Sequence, residues 1–209
     1  MTARPPIPGT SAVSDALDGL GAGGGVVEGV VPLAVAAGAV AGPVHLGRVR
    51  SSTEEGIPGL APYLDAAPQG SFVVLAWDTE ERASSFGGLA ARRAVHLGCV
   101  GLLAGGWVRD AVEITAVGLR AWARGTTPRS GKGRLRVDAA AGPLPVGGVA
   151  VRLGDLIVAD ATGVCVVPRA AMEQVLAEAR RLEGLDEQFA RRLDEGWSFG
   201  DSARETGTL

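Results

Sequence analysis

Cysteine and aromatic residues are scarce in this chain, and their scarcity excludes several classes of protein. The 209 residues include two cysteines, and phenylalanine, tryptophan and tyrosine together make up 4%. Cys99 and Cys165 both lie inside apolar runs, where a free cysteine usually behaves as a small buried hydrophobic residue. We therefore expect neither a disulfide framework nor a zinc site, and a reducing cytoplasm fits this composition.

The chain also lacks a block of basic residues and a long apolar segment. Its 20 lysine and arginine residues are distributed along the chain, and the formal net charge is −3. Nucleic-acid binding through phosphate neutralisation is therefore not expected. Residues 1–8 contain no apolar signal-peptide core, and no uninterrupted apolar run of about 18 residues follows, so we expect neither a signal peptide nor a membrane span.

Glycine and short apolar runs are abundant instead. The 32 glycines and 12 prolines separate Val/Leu/Ala-rich runs without a short repeat, and 46% of the residues are hydrophobic. A chain of this length and composition can bury one substantial core. We predict a single domain over 1–209, in which 170–209 form a C-terminal helical extension.

Periodicity and turn residues predict many short strands and fewer helices. The first helix is expected to start at a cap formed by Thr10-Ser11, and the fourth strand is expected to end at a turn formed by Gly105-Gly106. This pattern favours an α/β fold with a mixed sheet, or two packed sheets, flanked by helices. The predicted helices are 12–18, 59–67, 89–97, 112–117 and 170–194, and the predicted strands are 26–32, 40–49, 71–76, 99–104, 120–123, 148–152, 155–159 and 163–167.

The pair Arg109-Asp110 is the most informative polar feature, because it directly follows a predicted buried strand. A cation beside a carboxylate can hold an anionic substrate and a divalent metal together. Loops at the end of a strand commonly carry ligands in layered α/β folds. An isolated Arg-Asp pair also arises by chance, so this feature needs support from other residues.

The segment Gly87-Gly88-Leu89-Ala90 opens the helix that precedes this strand. Unblocked N–H groups at a helix start form a site for a carboxylate or a phosphate. The alternative is that the glycines only allow the helix to pack closely on the sheet.

Six motifs together resemble the RraA-like family, which includes 4-hydroxy-4-methyl-2-oxoglutarate aldolases and regulators of RNase E activity, and whose members have often been labelled menaquinone methyltransferases. The resemblance covers nearly the whole chain, and it depends on the order and spacing of the motifs. They are Ser-Asp-Ala-Leu-Asp (14–18), Val-Ala-Gly-Pro (40–43), Phe-Gly-Gly-Leu-Ala (86–90), Val-Arg-Asp (108–110), Ala-Arg-Gly-Thr-Thr-Pro (123–128) and the Gly-rich run 147–164.

The resemblance implies a layered β/β/α sandwich similar to the swivelling phosphohistidine domain, assembled as homotrimers or hexamers with active sites between subunits. It implies that Asp110 helps to hold Mg²⁺ or Mn²⁺, largely through water, and that Arg109 binds a small 2-oxo acid. The backbone N–H groups of Gly87, Gly88, Leu89 and Ala90 would hold the carboxylate or carbonyl of that acid. The implied activity is retro-aldol cleavage or oxaloacetate decarboxylation through a pyruvate enolate.

One position departs from the family pattern. The aldolases carry an acid twenty residues ahead of the Arg-Asp pair, and counting back across 89–108 reaches Gly88. That acid helps to activate the water that serves as base, so its loss should impair the aldol reaction more than decarboxylation. We expect Gly88→Asp to raise the aldol rate. Gly105 and Trp107 also differ from the usual family residues and are expected to change the wall around Arg109.

Other polar residues are expected to be structural. His45 and His96 have no partner at ligand spacing, Ser84-Ser85 has no nearby base signature, and Asp160 fits a turn. The basic group Arg124, Arg129, Lys132 and Arg134 is expected to form a surface or subunit-contact loop, with contact to an anionic substrate as the alternative. Asp186 and Glu187 are expected on a solvated helix face, with a neighbouring subunit's metal shell as the alternative.

Two rival functions stay open at this point. One is a non-catalytic regulator that binds a protein, like the RNase E inhibitors of the family. The other is an enzyme of a specialised biosynthetic pathway that keeps the metal and the Arg-Asp pair but catalyses another reaction. The departures at Gly88 and Trp107 motivate the second.

Overall fold

A mixed sheet dominates the computed structural model, which describes residues 6–207. The helices among these residues are α1 (Thr10–Leu20), α2 (Leu60–Asp65), α3 (Gly88–His96), α4 (Ala111–Ala116), α5 (Met172–Asp194) and α6 (Phe199–Thr206). The strands are β1 (Gly25–Val26), β2 (Val31–Ala34), β3 (Val40–Ser51), β4 (Phe72–Asp78), β5 (Ser84–Phe86), β6 (Gly101–Val108), β7 (Arg120–Thr126), β8 (Leu135–Ala139), β9 (Leu144–Val146), β10 (Val149–Val151), β11 (Leu156–Ala159) and β12 (Val164–Val167).

The strands form a ten-stranded sheet with a main order of β1-β12-β11-β3-β4-β6-β7-β2, while β9 and β10 form a separate hairpin. Strands β3, β4, β6 and β7 are mutually parallel, and β5 adds to β6 in the same direction. The remaining pairs within the large sheet are antiparallel. The carboxyl ends of the parallel strands therefore meet at one edge, where loops can carry a site.

The parallel centre of the sheet is buried on both faces. Alternate side chains along each strand pack into one of two hydrophobic clusters, one on each face of the sheet. Val73 and Leu75 pack with residues of α2, α3 and α4. Phe72 and Val74 pack with residues of the β9-β10 hairpin on the other face. This arrangement of hairpin, sheet and helices is the layered α/β architecture that the sequence predicts.

A third cluster joins α1 and α5 to β11 and β12. The predicted hydroxyl cap of α1 is wrong, because Gly9 is the N-cap residue and has no side chain to accept a hydrogen bond. Carboxylates from distant segments accept the N-terminal donors instead. Glu183 accepts the N–H of Gly9 at 2.6 Å, and Asp160 accepts both the N–H and the hydroxyl of Thr10 at 2.8 Å.

The predicted turn at Gly105-Gly106 is wrong, since β6 continues through both glycines to Val108. A Cβ at Gly106 would overlap the ring of Trp77 from the neighbouring strand β4. The glycine therefore serves close packing between strands, and the chain turns only after Val108. Because β6 extends to Val108, Arg109 is the first residue after this strand.

Several other element boundaries differ from the prediction. The strand expected over 26–32 is divided into β1 and β2, with Gly29 between them at φ +70°. The prediction missed β5, β8 and β9, and it gave no separate bounds for α6, which lies within the predicted helical extension 170–209. Helix α6 packs on α5 through Phe189 and Phe199, whose rings lie 4.9 Å apart. Gly98 follows α3 with φ +78°, which agrees with its predicted role at the end of that helix.

Both cysteines are free and buried, as the sequence predicts. Burial raises the pKa of the Cys165 thiol to about 12. Within residues 6–207 no helix is both long and apolar enough to cross a membrane. The prediction about a signal peptide concerns 1–8, of which 1–5 lie outside the described residues.

Candidate active site

Arg109 and Asp110 lie where the chain leaves β6 at the carboxyl edge of the parallel strands. The N–H of Arg109 donates to the Phe86 carbonyl of β5 at 3.0 Å, and the N–H of Thr127 donates to the Val108 carbonyl at 2.9 Å. These bonds tie the end of β6 to its neighbours on both sides. The position of Arg109 is therefore set by the sheet rather than by a free loop.

The backbone of Asp110 adopts a left-handed conformation, with φ 56° and ψ 44°. It is the only non-glycine residue of 6–207 with positive φ. Such a conformation costs about 1 kcal/mol or more for most residues and recurs at functional sites, although aspartate tolerates it better than most. It turns the chain into α4, whose first turn closes with the Ile114 N–H on the Asp110 carbonyl at 2.9 Å.

The two side chains form an ion pair, with Arg109 Nε 3.3 Å from Asp110 Oδ2 and 39% of each side chain exposed. Gly87 lies directly against this pair. A Cβ at Gly87 would stand 2.7 Å from Asp110 Oδ2 and 3.1 Å from Arg109 Cγ. Any larger residue at this position would displace the pair.

The start of α3 supplies hydrogen-bond donors to the same place. The Gly88 N–H donates to Asp110 Oδ2 at 3.1 Å, so this donor is already engaged. The N–H groups of Leu89 and Ala90 have no acceptor within the described residues, as is usual for the first turn of a helix. The predicted group of N–H donors is therefore present with two members available to a ligand.

Glu113 occupies the space beside Gly88, and sequence reasoning missed it. A Cβ at Gly88 would lie 2.8 Å from Glu113 Cβ and 3.5 Å from Asp110 Cβ. The side-chain stem of an acidic residue from the first turn of α4 therefore lies beside the position at which the family pattern places an acid. The available signal was its spacing, because a residue three positions after Asp110 in a following helix returns to the same side.

Gly87, Leu89, Ala90, Arg109 and Asp110 line a cleft of about 140 Å³, whereas Gly88 and Glu113 are not among its lining residues. Gly105 and Trp107 do not line it, so the expectation that they shape the wall around Arg109 is wrong. Trp107 instead packs edge-on against Trp77 and lies under the guanidinium groups of Arg82 and Arg124. The cleft is lined by Ile57, Leu60, Ser84, Phe86, Gly87, Leu89, Ala90, Arg109, Asp110, Ser130 and Lys132.

Lys132 is the only lysine in the sequence, and it is one of the residues that line this cleft. It forms no ion pair within residues 6–207. The loop that carries it is held against β5, where the Ser84 N–H donates to the Arg129 carbonyl at 2.9 Å. A Cβ at Gly131 would collide with the Ser84 carbonyl oxygen, so glycine allows this close approach.

The other basic residues of this segment do not line the cleft. Arg129 lies 3.9 Å from the Glu81 carboxylate, and Arg134 donates to the Ser130 and Lys132 carbonyls. Arg124 stacks on Trp107 outside the cleft. The basic segment therefore divides into one cleft residue and three that contact protein groups.

The remaining candidates keep the structural roles that the sequence favours. His45 is buried and its Nε2 lies 2.7 Å from the Tyr63 carbonyl oxygen. His96 is exposed at the end of α3. The Ser84 hydroxyl donates to the Phe86 carbonyl, with no base beside it. Asp186 and Glu187 are exposed on α5 away from the cleft, and a role in a neighbouring subunit stays a prediction.

The donor set suits a hard divalent cation held mainly by water. No group of three or more His, Cys, Asp or Glu residues that could bind a metal occurs within 6–207. The Asp110 and Glu113 side chains, however, flank Gly88 together. Mg²⁺ is commonly held by one or two carboxylates while it keeps several waters. The residues present therefore fit Mg²⁺ or Mn²⁺.

Comparison with known proteins identifies the family. The family model described as RraA-like, Aldolase/RraA, matches residues 10–166. This chain belongs to the RraA-like family. It is 32% identical over 190 residues to a Halalkalibacterium halodurans protein named "Putative 4-hydroxy-4-methyl-2-oxoglutarate aldolase", covering 89% of this chain and 85% of that protein.

Solved structures of the family share the fold. Streptomyces coelicolor RraAS2, described as an unusual member of the RNase ES inhibitor RraA protein family, is 26% identical with a TM-score of 0.75, and the match covers 88% of this chain and 91% of that chain. The RNA-processing inhibitor RraA from Thermus is 26% identical with a TM-score of 0.60, covering 80% and 94%. The family thus includes proteins named as aldolases and proteins named as inhibitors, and the site geometry must distinguish between them.

Proposed function

We propose that this protein is a lyase that depends on Mg²⁺ or Mn²⁺ and acts on a small 2-oxo acid. The reaction is retro-aldol cleavage of a substrate of the 4-hydroxy-4-methyl-2-oxoglutarate type, or decarboxylation of oxaloacetate, through a pyruvate enolate. The observation that carries this proposal is one cleft that contains Arg109, Asp110, two free N–H donors and Lys132. A surface that only binds another protein does not need this concentration of groups.

The cleft can bind and orient a 2-oxo acid. Arg109 supplies a guanidinium that matches a carboxylate, and the N–H groups of Leu89 and Ala90 add donors beside it. Asp110 would hold Mg²⁺ or Mn²⁺, largely through water, and the ion would supply a Lewis acid to the substrate oxygens. Arg109 and the N–H donors stabilise the negative charge that develops on the 2-oxo oxygen, because they are fixed before the reaction begins.

The two reactions make different demands on Glu113. Retro-aldol cleavage removes the proton of the C4 hydroxyl, whereas decarboxylation only has to stabilise the enolate. The Cβ and Cγ of Glu113 lie beside position 88, at which the family pattern has the acid that activates a water as base. We assign it that role, which retains the aldol reaction in a chain with glycine at position 88.

Lys132 provides a second cation for a second carboxylate. Oxaloacetate and 4-hydroxy-4-methyl-2-oxoglutarate are both dicarboxylates, so one acid group can bind Arg109 while the other binds Lys132.

The proposal extends to a homotrimer or hexamer, because large apolar side chains beside the site, including Leu89, lie exposed in the single chain.

The test is the decarboxylation of oxaloacetate with and without added Mg²⁺. We expect activity that a chelator abolishes and that Asp110→Asn reduces about a hundredfold or more, since asparagine tolerates the left-handed backbone but lacks the charge. Asp194→Asn, at the end of α5, is the matched control and should keep full activity.

Full activity of the Asp110→Asn protein, or activity that a chelator leaves intact, would contradict the proposal. Isothermal titration calorimetry with oxalate in the presence of Mg²⁺ measures ligand binding, which does not require turnover. If neither substrate reacts and oxalate does not bind, the site is not that of a 2-oxo acid lyase.

A further inference from the structure

We infer that Arg82, Trp107 and Arg124 form a second binding site, outside the cleft, for a small oxyanion that carries two negative charges. Dicarboxylates and phosphate both have this chemistry. The proposed lyase reaction assigns no role to these three residues, and none of them lines the cleft. Trp107 also departs from the usual family residues, so the site belongs to this chain rather than to the 2-oxo acid chemistry of the family.

Two arginine side chains share one aromatic ring in this site. The guanidinium carbon of Arg82 lies 5.4 Å from the centroid of a ring of Trp107, and that of Arg124 lies 4.9 Å from it. Each cation is attracted to the negative face of the indole. The two positive charges nevertheless repel each other, because both are held beside the same ring. A dianion bound to both guanidinium groups removes this repulsion.

Neither guanidinium group has a counter-charge within residues 6–207. Arg82 and Arg124 are both exposed and form no ion pair there. Glu81 precedes Arg82 directly, but its carboxylate lies 3.9 Å from Arg129. Glu80 is exposed and pairs with neither arginine. The protein therefore supplies two adjacent positive charges that an anion can neutralise.

The hydrogen-bond donors of both arginines are available to a ligand. A guanidinium group carries five N–H donors in a planar fork that matches the oxygens of carboxylate and phosphate. The side chains of Arg82 and Arg124 donate no hydrogen bond to any group of the described chain. Bonds from a guanidinium to an anionic oxygen are stronger than bonds between neutral groups. The site can thus offer both charge and directed donors to one small anion.

The aromatic ring is fixed by the strands beneath it. Trp107 of β6 pairs in register with Ser84 of β5 and with Gly125 of β7. A Cβ at Gly125 would already contact Trp107 Nε1 at 3.6 Å, so glycine leaves the ring free to lie close to β7. The ring of Trp77 supports it from β4, with the two centroids 5.8 Å apart. Because this platform is in place before a ligand arrives, little ordering of the ring opposes binding.

The basic residues that follow in the chain do not extend this positive charge. Arg129 lies against the Glu81 carboxylate, and Arg134 donates to backbone carbonyl oxygens. Nucleic acids are bound through many phosphate contacts along a broad basic surface. Two guanidinium groups on one ring instead suit a single small anion whose two negative charges balance theirs.

The experiment first removes anion binding in the cleft with the variant Arg109→Gln/Lys132→Gln. Isothermal titration calorimetry with succinate, phosphate and acetate, at constant ionic strength and without added metal, then measures the second site alone. We expect one dianion to bind per chain, and acetate to bind at least about tenfold more weakly because it neutralises only one of the two cations. The stronger ligand of succinate and phosphate identifies the dianion that the two guanidinium groups fit.

Arg82→Gln or Arg124→Gln, added to this variant, should each weaken dianion binding about tenfold or more, because charge-assisted hydrogen bonds are lost. Arg152→Gln is the matched control, since Arg152 is also exposed and forms no ion pair within 6–207. Thermal unfolding verifies the fold of each protein. The inference is overturned if neither dianion binds, if acetate binds as tightly, or if both substitutions leave the affinity unchanged.

A second measurement uses the unmodified protein and does not depend on the folding of the cleft variant. In ¹⁵N NMR spectra, the Nε–H signals of Arg82 and Arg124 are assigned by their loss in the single variants Arg82→Gln and Arg124→Gln. Both signals should shift on titration with the stronger dianion, whereas that of Arg152 should not. A shift of the Arg109 signal alone would mean that the dianion binds only in the cleft, and the second site would be refuted while the proposed function would stand.

Discussion

At the scale of single residues, the site depends on two glycines that leave space for acidic side chains. Gly87 leaves room for the Arg109-Asp110 pair, and Gly88 leaves room for Glu113. Reading position 88 alone indicates that an acid is missing. The structure places the side-chain stem of another acidic residue, Glu113 of α4, against this position. The residue type at one position of a motif is therefore a poor guide when a neighbouring helix can supply the same group.

We expect Glu113→Gln to lower kcat for retro-aldol cleavage of 4-hydroxy-4-methyl-2-oxoglutarate by about a hundredfold or more. Oxaloacetate decarboxylation should fall much less, because no hydroxyl proton has to be removed. Glu195→Gln, at an exposed position after α5, is the control. Equal losses in both reactions would mean that Glu113 does not act as the base for the aldol step.

Gly88→Asp provides a second test at this position. A Cβ there would lie 2.8 Å from Glu113 Cβ, so we expect this variant to lose activity rather than gain it. This revises the expectation drawn from the sequence alone. The double variant Gly88→Asp/Glu113→Gly removes the crowding atom, and it should recover part of the aldol rate that Glu113→Gly loses. No recovery would show that the two positions are not equivalent.

At the scale of elements, helix α1 is held to the sheet by a carboxylate from the turn between β11 and β12. Asp160 accepts hydrogen bonds from Thr10, Thr162 and Gly163. Burial alone would raise the pKa of Asp160, but these hydrogen bonds outweigh it and lower the pKa below its ordinary value. The sequence predicts a turn role for Asp160, which is correct, whereas its function as a distant cap for α1 depends on the tertiary fold.

We expect Asp160→Asn to lower the free energy of unfolding by about 1 kcal/mol at pH 7, as for the loss of a helix cap. Because the pKa is lower in the folded state, the stabilisation is present above the unfolded-state pKa and is lost as the pH falls through the folded-state pKa. The difference between the two proteins should therefore shrink below about pH 4. Urea unfolding at several pH values measures it, with Asp15→Asn on the exposed face of α1 as the control. A difference that is independent of pH would contradict this account.

At the scale of the whole molecule, two large apolar side chains beside the site are exposed in the single chain. Leu89 is 84% exposed and Val112 is 79% exposed, and each lies within two residues of Gly88 or Asp110. Exposed side chains of this size beside a cleft are typical of surfaces that another chain covers. This surface supports the proposal that copies of the chain assemble around their sites.

We expect light scattering at micromolar concentration to give a mass three or six times 21.1 kDa. Val112→Asp should shift the mass toward that of one chain and lower the activity, because a charge buried in an interface is unfavourable. Leu153→Asp, at another exposed apolar position, should change neither. A one-chain mass for the unmodified protein would rule out the assembly.

The sequence by itself determined the family, the layered α/β class, most helices and the Arg109-Asp110 pair. These features are local, since each depends on residues that lie close together along the chain, or on the order of several short motifs. Only the tertiary structure decided that β6 runs through Gly105 and Gly106, that Glu113 fills the space beside Gly88, and that Lys132 shares a cleft with Arg109. These contacts join segments that meet through strand pairing and helix packing, and no periodicity along the chain reports such distances.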